Sequence, residues 1–320
     1  SGTNGYQMAK DSAWAIHRHS RFLSPPVSTR VSLPDHETRH VLEDNAELAA
    51  RMKELHLGEL EFYQVPARDG LALDGFMLRP PEFDPTVTYP IINFVYGEPA
   101  GQTVADGWQG DRGLWHLLMS QRGFIISSID NRGTKAPRGR DWRRSLYGAV
   151  GTVTSRDQSD ALQAVCARWD YVDCDRVGVW GHSGGGSMTL NLLFRHPDQY
   201  HVGVSRAPGA DQRLYDSIYQ ERYSGVLPDF EEAYHESSAI TWASQLDGKL
   251  LLVHGTGDDN VHYQGTERLI NVLVKHNTPF DLMAYPNRQH GLRRGEGTGL
   301  HLHSKMTRYF EELLKARTLE

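Results

Sequence analysis

The chain has 320 residues, a formal charge of −6, 39% hydrophobic and 23% charged residues. This size and composition fit a globular protein of one large unit or two smaller ones, and the mild acidity gives no reason to expect nucleic acid or an anionic membrane as partner. No apolar run reaches the roughly 18 residues that span a bilayer. The opening SGTNGYQMAK lacks the apolar segment of a signal peptide, so no compartment is indicated. Ser1–Gly2 and the terminal ARTLE read as sequences added in cloning.

Residues 11–46 read as short strands broken by turns: AWAIHRHSRF, STRVSLP and ETRHVLED, with alternation in Trp14 and Ile16 and in Val31 and Leu33. NAELAARMKELHLG reads as a helix capped by Asn45 and stopped by Gly58, with Leu48, Met52 and Leu55 at helical spacing. From about residue 59 the texture changes. ELEFYQV and LALDGFML form a hairpin around Asp69–Gly70, and strands then alternate with helices. IINFVYG, FIISSID, RVGVWGHS, HVGVSRA, KLLLVHG and FDLMAYP are strands. RGLWHLLMSQ, SRDQSDALQAVCARWDYV (capped by Thr154 or Ser155), GGSMTLNLLFRH and GLHLHSKMTRYFEELLKA are helices. The alternation predicts an α/β fold, a mostly parallel central sheet with helices on both faces. Two cysteines in so long a chain make no disulfide framework. Cys166 in its helix and Cys174 in the turn after it are read as free thiols, one buried and one in a turn.

Gly181-His182-Ser183-Gly184-Gly185 follows the apolar strand VGVW and opens an apolar helix. A G-x-S-x-G pentapeptide in that setting is a nucleophile elbow. The serine projects from a tight turn, flanking glycines avoid collisions, and the Gly184 N–H faces an oxyanion. A serine needs a base, and the base an orienting carboxylate, in loops after later strands. KLLLVHG runs into Thr256-Gly257-Asp258-Asp259-Asn260, and FDLMAYP into Asn287-Arg288-Gln289-His290-Gly291. His290 alone lies in the loop after the next strand; His182, His254 and His262 are near motifs but misplaced. Spacing does not decide between Asp258 and Asp259. The pairs His17/His19 and His301/His303, with no H-E-x-x-H and no C-x-x-C, give no expectation of a metal or other cofactor.

Further stretches carry a resemblance: VLEDNAEL, FVYGEPAG, IDNRGT, WGHSGGG, LYDSIYQERYSG, HGTGDDNVHYQ and RQHG, in order from Val41 to His290. With these the chain resembles the dipeptidyl peptidase IV branch of the prolyl oligopeptidase family. The resemblance implies a catalytic domain of α/β-hydrolase fold at residues 47–320, preceded at 1–46 by a β segment like the last strands of a β-propeller. It implies a Ser183–Asp258–His290 triad, choosing the first of the two aspartates, and an oxyanion hole of the Tyr96 phenol and the Gly184 amide. It implies that Asn260 binds a substrate carbonyl and that Tyr215, Tyr219 and Val261 line a pocket for proline or alanine. The implied activity is release of N-terminal X-Pro or X-Ala dipeptides from a peptide substrate, with a homodimer through the catalytic domain as a further expectation.

Three positions depart from that branch. The residue after the nucleophile is Gly184 rather than tyrosine, a pocket tryptophan is Gln212, and a small apolar position is Gly209, so a wider or less apolar pocket is expected. The propeller glutamates that hold a substrate's amino terminus have no counterpart here. The basic stretch Arg132–Arg140, with Arg143 and Arg144, is expected to be a solvated loop or one facing a propeller. Two other functions share this scaffold: an esterase or broad acyl hydrolase, and a non-catalytic interaction module. An intact triad opposes the latter.

Overall fold

The computed structural model describes residues 2–99 and 101–315; Ser1 and the ARTLE end lie outside the described residues. Its first four strands, β1 (Thr3–Met8), β2 (Trp14–Arg21), β3 (Ser24–Ser32) and β4 (Thr38–Glu43), form an antiparallel sheet in sequential order. This is the expected propeller-like segment with one strand more. β1 escaped sequence reading because TNGYQM carries no apolar alternation and is exposed throughout. One corner of this sheet is tied to the rest of the chain around Asp106. Phe22 packs edge-on against Phe76 at 5.0 Å, the Phe22 N–H donates to Asp106 at 2.9 Å, and the Thr3 hydroxyl donates to the Asp106 carbonyl.

α1 (Ala46–Lys53) follows. Asn45 precedes it as expected but does not cap it with its side chain; the residue is left-handed (φ 49°) and its Nδ2 donates to the Pro26 carbonyl at 2.7 Å. The helix ends before Gly58, whose role is close approach: a Cβ there would lie 1.7 Å from the Arg79 carbonyl oxygen.

The remaining strands are β5 (Leu60–Pro66), β6 (Ala72–Leu78), β7 (Tyr89–Phe94), β8 (Ile125–Asp130), β9 (Val172–His182), β10 (Val202–Arg206), β11 (Lys249–Gly255) and β12 (Asp281–Tyr285). They form one sheet in the order β12-β11-β10-β9-β7-β8-β6-β5, antiparallel only where β6 meets β5 and β8. The inner strands are apolar on both faces because helices cover both. Ile91, Ile125, Leu250 and Leu252 join the core on one face; Ile92, Ile126, Leu251 and Val253 join it on the other. This is the period of two expected of a strand.

The helices are α2 (Gly110–Gln121), α3 (Gly139–Arg144), α4 (Thr152–Arg168), α5 (Gly184–Arg195), α6 (Ser217–Ser224), α7 (Glu231–Ser237), α8 (Gln264–Lys275) and α9 (Thr298–Phe310). α4 begins earlier than expected: Thr154 is inside it, and its hydroxyl accepts the Gly151 N–H at 3.0 Å. α3, α6, α7 and α8 were not foreseen.

The free-thiol reading is corrected. Cys166 and Cys174 form a disulfide, eight residues apart with Cα atoms 6.1 Å apart. The reason is geometric: α4 turns straight into β9, whose third residue is Cys174, so the reversal brings the two side chains together. The basic stretch is partly corrected. Lys135, Arg140, Arg143 and Arg144 are exposed, but Arg132 pairs with the buried Asp157 and with Asp69. Arg138 donates to the Ala72 carbonyl and lies over the Trp142 ring at 4.5 Å.

Candidate active site

β9 runs into α5 with no intervening loop, so Ser183 takes the turn by itself. Its backbone sits at φ 62° and ψ −124°, a conformation that costs an L-residue roughly 1–3 kcal/mol. The turn is locked by the Ser183 N–H donating to the Arg206 carbonyl at 2.8 Å. Only glycine fits beside it: a Cβ on Gly181 would fall 2.3 Å from the Gly185 carbonyl oxygen, and one on Gly185 2.2 Å from that of Val95. The Gly184 N–H starts α5, where helix geometry leaves amide donors unused.

The loop after β12 brings His290 to this serine. Its Nε2 lies 2.8 Å from Ser183 Oγ and its Nδ1 2.7 Å from Asp258 Oδ2. The loop after β11 supplies Asp258, whose Oδ1 accepts the N–H groups of Asn260 and Val261 at 3.0 and 2.9 Å. Burial alone would raise the Asp258 pKa. Hydrogen bonds from His254, His290 and the Asn260 amide outweigh that and hold the carboxyl well below the usual range. Asp259 is exposed and makes none of these contacts.

His254, set aside on sequence grounds, is part of this network. It is fully buried on β11, with Nε2 3.1 Å from Asp258 Oδ2 and 2.9 Å from the Val261 carbonyl. Two acceptors at Nε2 require the proton there, so Nδ1 accepts from the Thr266 hydroxyl at 2.7 Å. His182 lies beside His290, its ring tilted by 40° with ring centres 4.8 Å apart. His262 is exposed.

Tyr96, just past β7, reaches the serine, and its phenol interacts with the Ser183 side chain. Burial, then Glu98 and Tyr215, push that phenol up to about 12, so it stays a hydrogen-bond donor. Tyr215 donates to Asn260 Oδ1 at 3.2 Å, which leaves the Asn260 NH2 group available to a carbonyl oxygen. Tyr215 and Tyr219 meet edge to face at 5.6 Å, and Val261 is buried. Every foreseen site residue thus gathers at the C-terminal ends of the parallel strands.

Glu98 was not foreseen. Its carboxylate lies where a side chain on Gly184 would begin, 2.4 Å from that ideal Cβ position, and Tyr219 donates to its Oε2 at 2.7 Å. Burial pushes its pKa up to about 7, with the Tyr219 bond pulling the other way. Gln212 is buried and accepts from Gln220, and Gly209 donates to the Ser187 hydroxyl at 2.9 Å. The Tyr219 hydroxyl thus meets a carboxylate, while Gln212 and Gly209 make polar contacts of their own. The signal was an acid inside FVYGEP together with a missing side chain at Gly184. Among the described residues, no three His, Cys, Asp or Glu side chains gather as a metal site.

A buried aspartate and the half-buried histidine it holds against a strained serine can perform acyl transfer. The prolyl oligopeptidase family profile matches residues 114–317. The chain belongs to the prolyl oligopeptidase family. It is 37% identical over 273 residues to a probable dipeptidyl-aminopeptidase B of Uncinocarpus reesii, covering 83% of this chain and 29% of that protein. It is 32% identical over 260 residues to dipeptidyl peptidase 8 of Homo sapiens, covering 80% and 29%. The crystal structure of Porphyromonas gingivalis dipeptidyl peptidase 4 superposes with a TM-score of 0.93 at 34% identity, covering 98% of this chain and 44% of that one. The catalytic fold of this family, an α/β-hydrolase sheet, is the fold described above. The chain spans under a third of the length of these curated relatives.

Proposed function

We propose that this chain is the catalytic part of a serine peptidase that releases N-terminal dipeptides. Ser183 is the nucleophile, His290 the general base and then acid, and Asp258 the group that orients His290 and stabilises its cation. Attack places the carbonyl oxygen between the Tyr96 phenol and the Gly184 N–H, donors fixed before the charge develops. Asn260 takes a backbone carbonyl of the substrate, and Tyr215, Tyr219 and Val261 enclose the P1 side chain. Proline and alanine fit that enclosure, and Glu98 and Gln212 widen its tolerance toward polar residues. Residues 1–46 are read as a separate propeller-like segment and 47–320 as the catalytic domain, which pairs with a second copy.

The supporting observation is the continuous relay of 2.8 and 2.7 Å from Ser183 through His290 to Asp258. The test is labelling with a fluorophosphonate, followed by hydrolysis of Gly-Pro and Ala-Ala anilides and a p-nitrophenyl ester. Labelling that Ser183→Ala abolishes, with a loss of about 10³-fold or more in anilide turnover, is expected. Ester turnover without anilide turnover makes the protein an esterase, and absence of labelling makes it a non-catalytic module.

A further inference from the structure

We propose that a cavity beside the triad is a carboxylate site for the leaving peptide. The cavity measures about 510 Å³ and is walled by Arg112, Arg206 and Arg293. Its lining includes Tyr96, His182, which directly precedes Ser183, and Gly291, which directly follows His290, but no member of the triad itself. None of Tyr215, Tyr219, Asn260 or Val261 lines it. It therefore adjoins the loops that carry Ser183 and His290 and shares no wall with the residues proposed to enclose P1. The amine leaves on the His290 side of Ser183, since His290 must hand it a proton.

The wall is built for an anion. Arg206 ends β10 with only 8% of its surface exposed, and its Nε has no partner among the described residues. Arg112 is half-buried; its Nε likewise has none, while its terminal nitrogen donates to Gln109 and its guanidinium lies 4.5 Å over the Phe94 ring. Among the described residues neither cation makes a salt bridge; each is instead depressed to about 10 by burial and then by Arg293. The one acid among the lining residues, Asp111, is exposed in the first turn of α2 and makes no salt bridge with the three arginines among the described residues. A buried cation without a counter-charge costs several kcal/mol, and three around one cavity repel one another. An incoming carboxylate relieves both costs. α2 and α9 also begin at this wall, and helix N-termini favour negative charge. Because arginine pairs with carboxylate in a two-pronged geometry, a carboxylate fits this wall better than a point anion.

The carboxylate has two sources in a peptide, the C-terminus of a short leaving fragment or an acidic side chain near its start. The inference rests on the peptidase reading, so its test separates the two. The first arm needs no turnover. On Ser183→Ala protein, the melting shift caused by free Ala-Ala is compared with that of Ala-Ala amide and of inorganic phosphate. The second arm compares kcat/KM for Ala-Ala-Ala with its C-terminal amide, and for longer peptides with Glu against Gln at P2′. The ratio is read within each protein, so a general loss of activity does not enter.

A preference of about tenfold or more for the acid over the amide is expected, falling toward unity in Arg206→Leu and in Arg293→Gln. Tripeptide preference alone identifies the C-terminus; preference for Glu in the longer peptides identifies the side chain. Arg293 is exposed on its loop, so its variant keeps the test open should Arg206→Leu fold poorly. Equal rates for acid and amide, a preference that survives both substitutions, or stabilisation by phosphate alone would each overturn the proposal. Anilide hydrolysis is scored separately and reports on the peptidase reading.

Discussion

Glu98 stands in the space left by the missing side chain at Gly184 and is the least expected group near the nucleophile. Because burial raises its pKa to about 7, its charge changes in the range where such enzymes are assayed. Below that value the carboxyl is neutral and suits alanine or proline at P1. Above it, the anion attracts a cationic P1 side chain. The ratio of kcat/KM for lysine over alanine at P1 is expected to rise about tenfold between about pH 6 and pH 8.5, and Glu98→Gln should flatten it. The protonation of the triad enters both substrates equally and cancels. A pH-independent ratio in the unaltered protein would put Glu98 beyond reach of P1. Spacing left Asp258 and Asp259 open and only the resemblance chose the first, whereas Ser183 and His290 were legible because each follows an apolar strand in a fixed order. His254 was not: its link to Asp258 depends on the curl of the loop after β11, which folds a residue four positions earlier back onto the carboxylate.

At the level of elements, the clearest reading came from strands buried on both faces. β8 (IISSID) and β11 (KLLLVHG) are nearly continuous apolar or small-residue runs, and no helix pattern competes with them. The short helices α3, α6 and α7 carry polar, tertiary-supported sequences such as GRDWRR and EEAYHES and give no comparable signal. The disulfide was hidden for a related reason. Its pairing follows from how α4 enters β9, not from cysteine spacing. Closing an eight-residue loop stabilises the fold by about 2.5 kcal/mol in the chain-entropy view. Cys166→Ser/Cys174→Ser is expected to lose about that much in denaturant unfolding. Cys174 lies roughly 26 Å along β9 from His182, so kcat/KM should stay within about twofold of the unaltered enzyme. A large loss of activity on reduction would show that strain at this end of the strand reaches the nucleophile.

Across the whole molecule, the central sheet places loops from β7, β9, β11 and β12 along one edge. Residues far apart in sequence meet there: Ser183 Oγ lies 2.8 Å from His290, His290 2.7 Å from Asp258, and Tyr215 3.2 Å from Asn260. Part of that arrangement is held against local preference. The backbone angles of Ser183 mirror those of an ordinary extended residue, a region that only glycine occupies freely. Catalysis and folding therefore want different residues at position 183. Ser183→Ala and Ser183→Gly should both be inactive, yet the glycine variant should melt about 2 °C above the alanine one, as relief of the turn exceeds the added freedom of the unfolded chain. Calorimetry of two dead proteins would then measure how much stability the enzyme forgoes to present its nucleophile, and a glycine variant that melts lower would mean the turn carries no such tension.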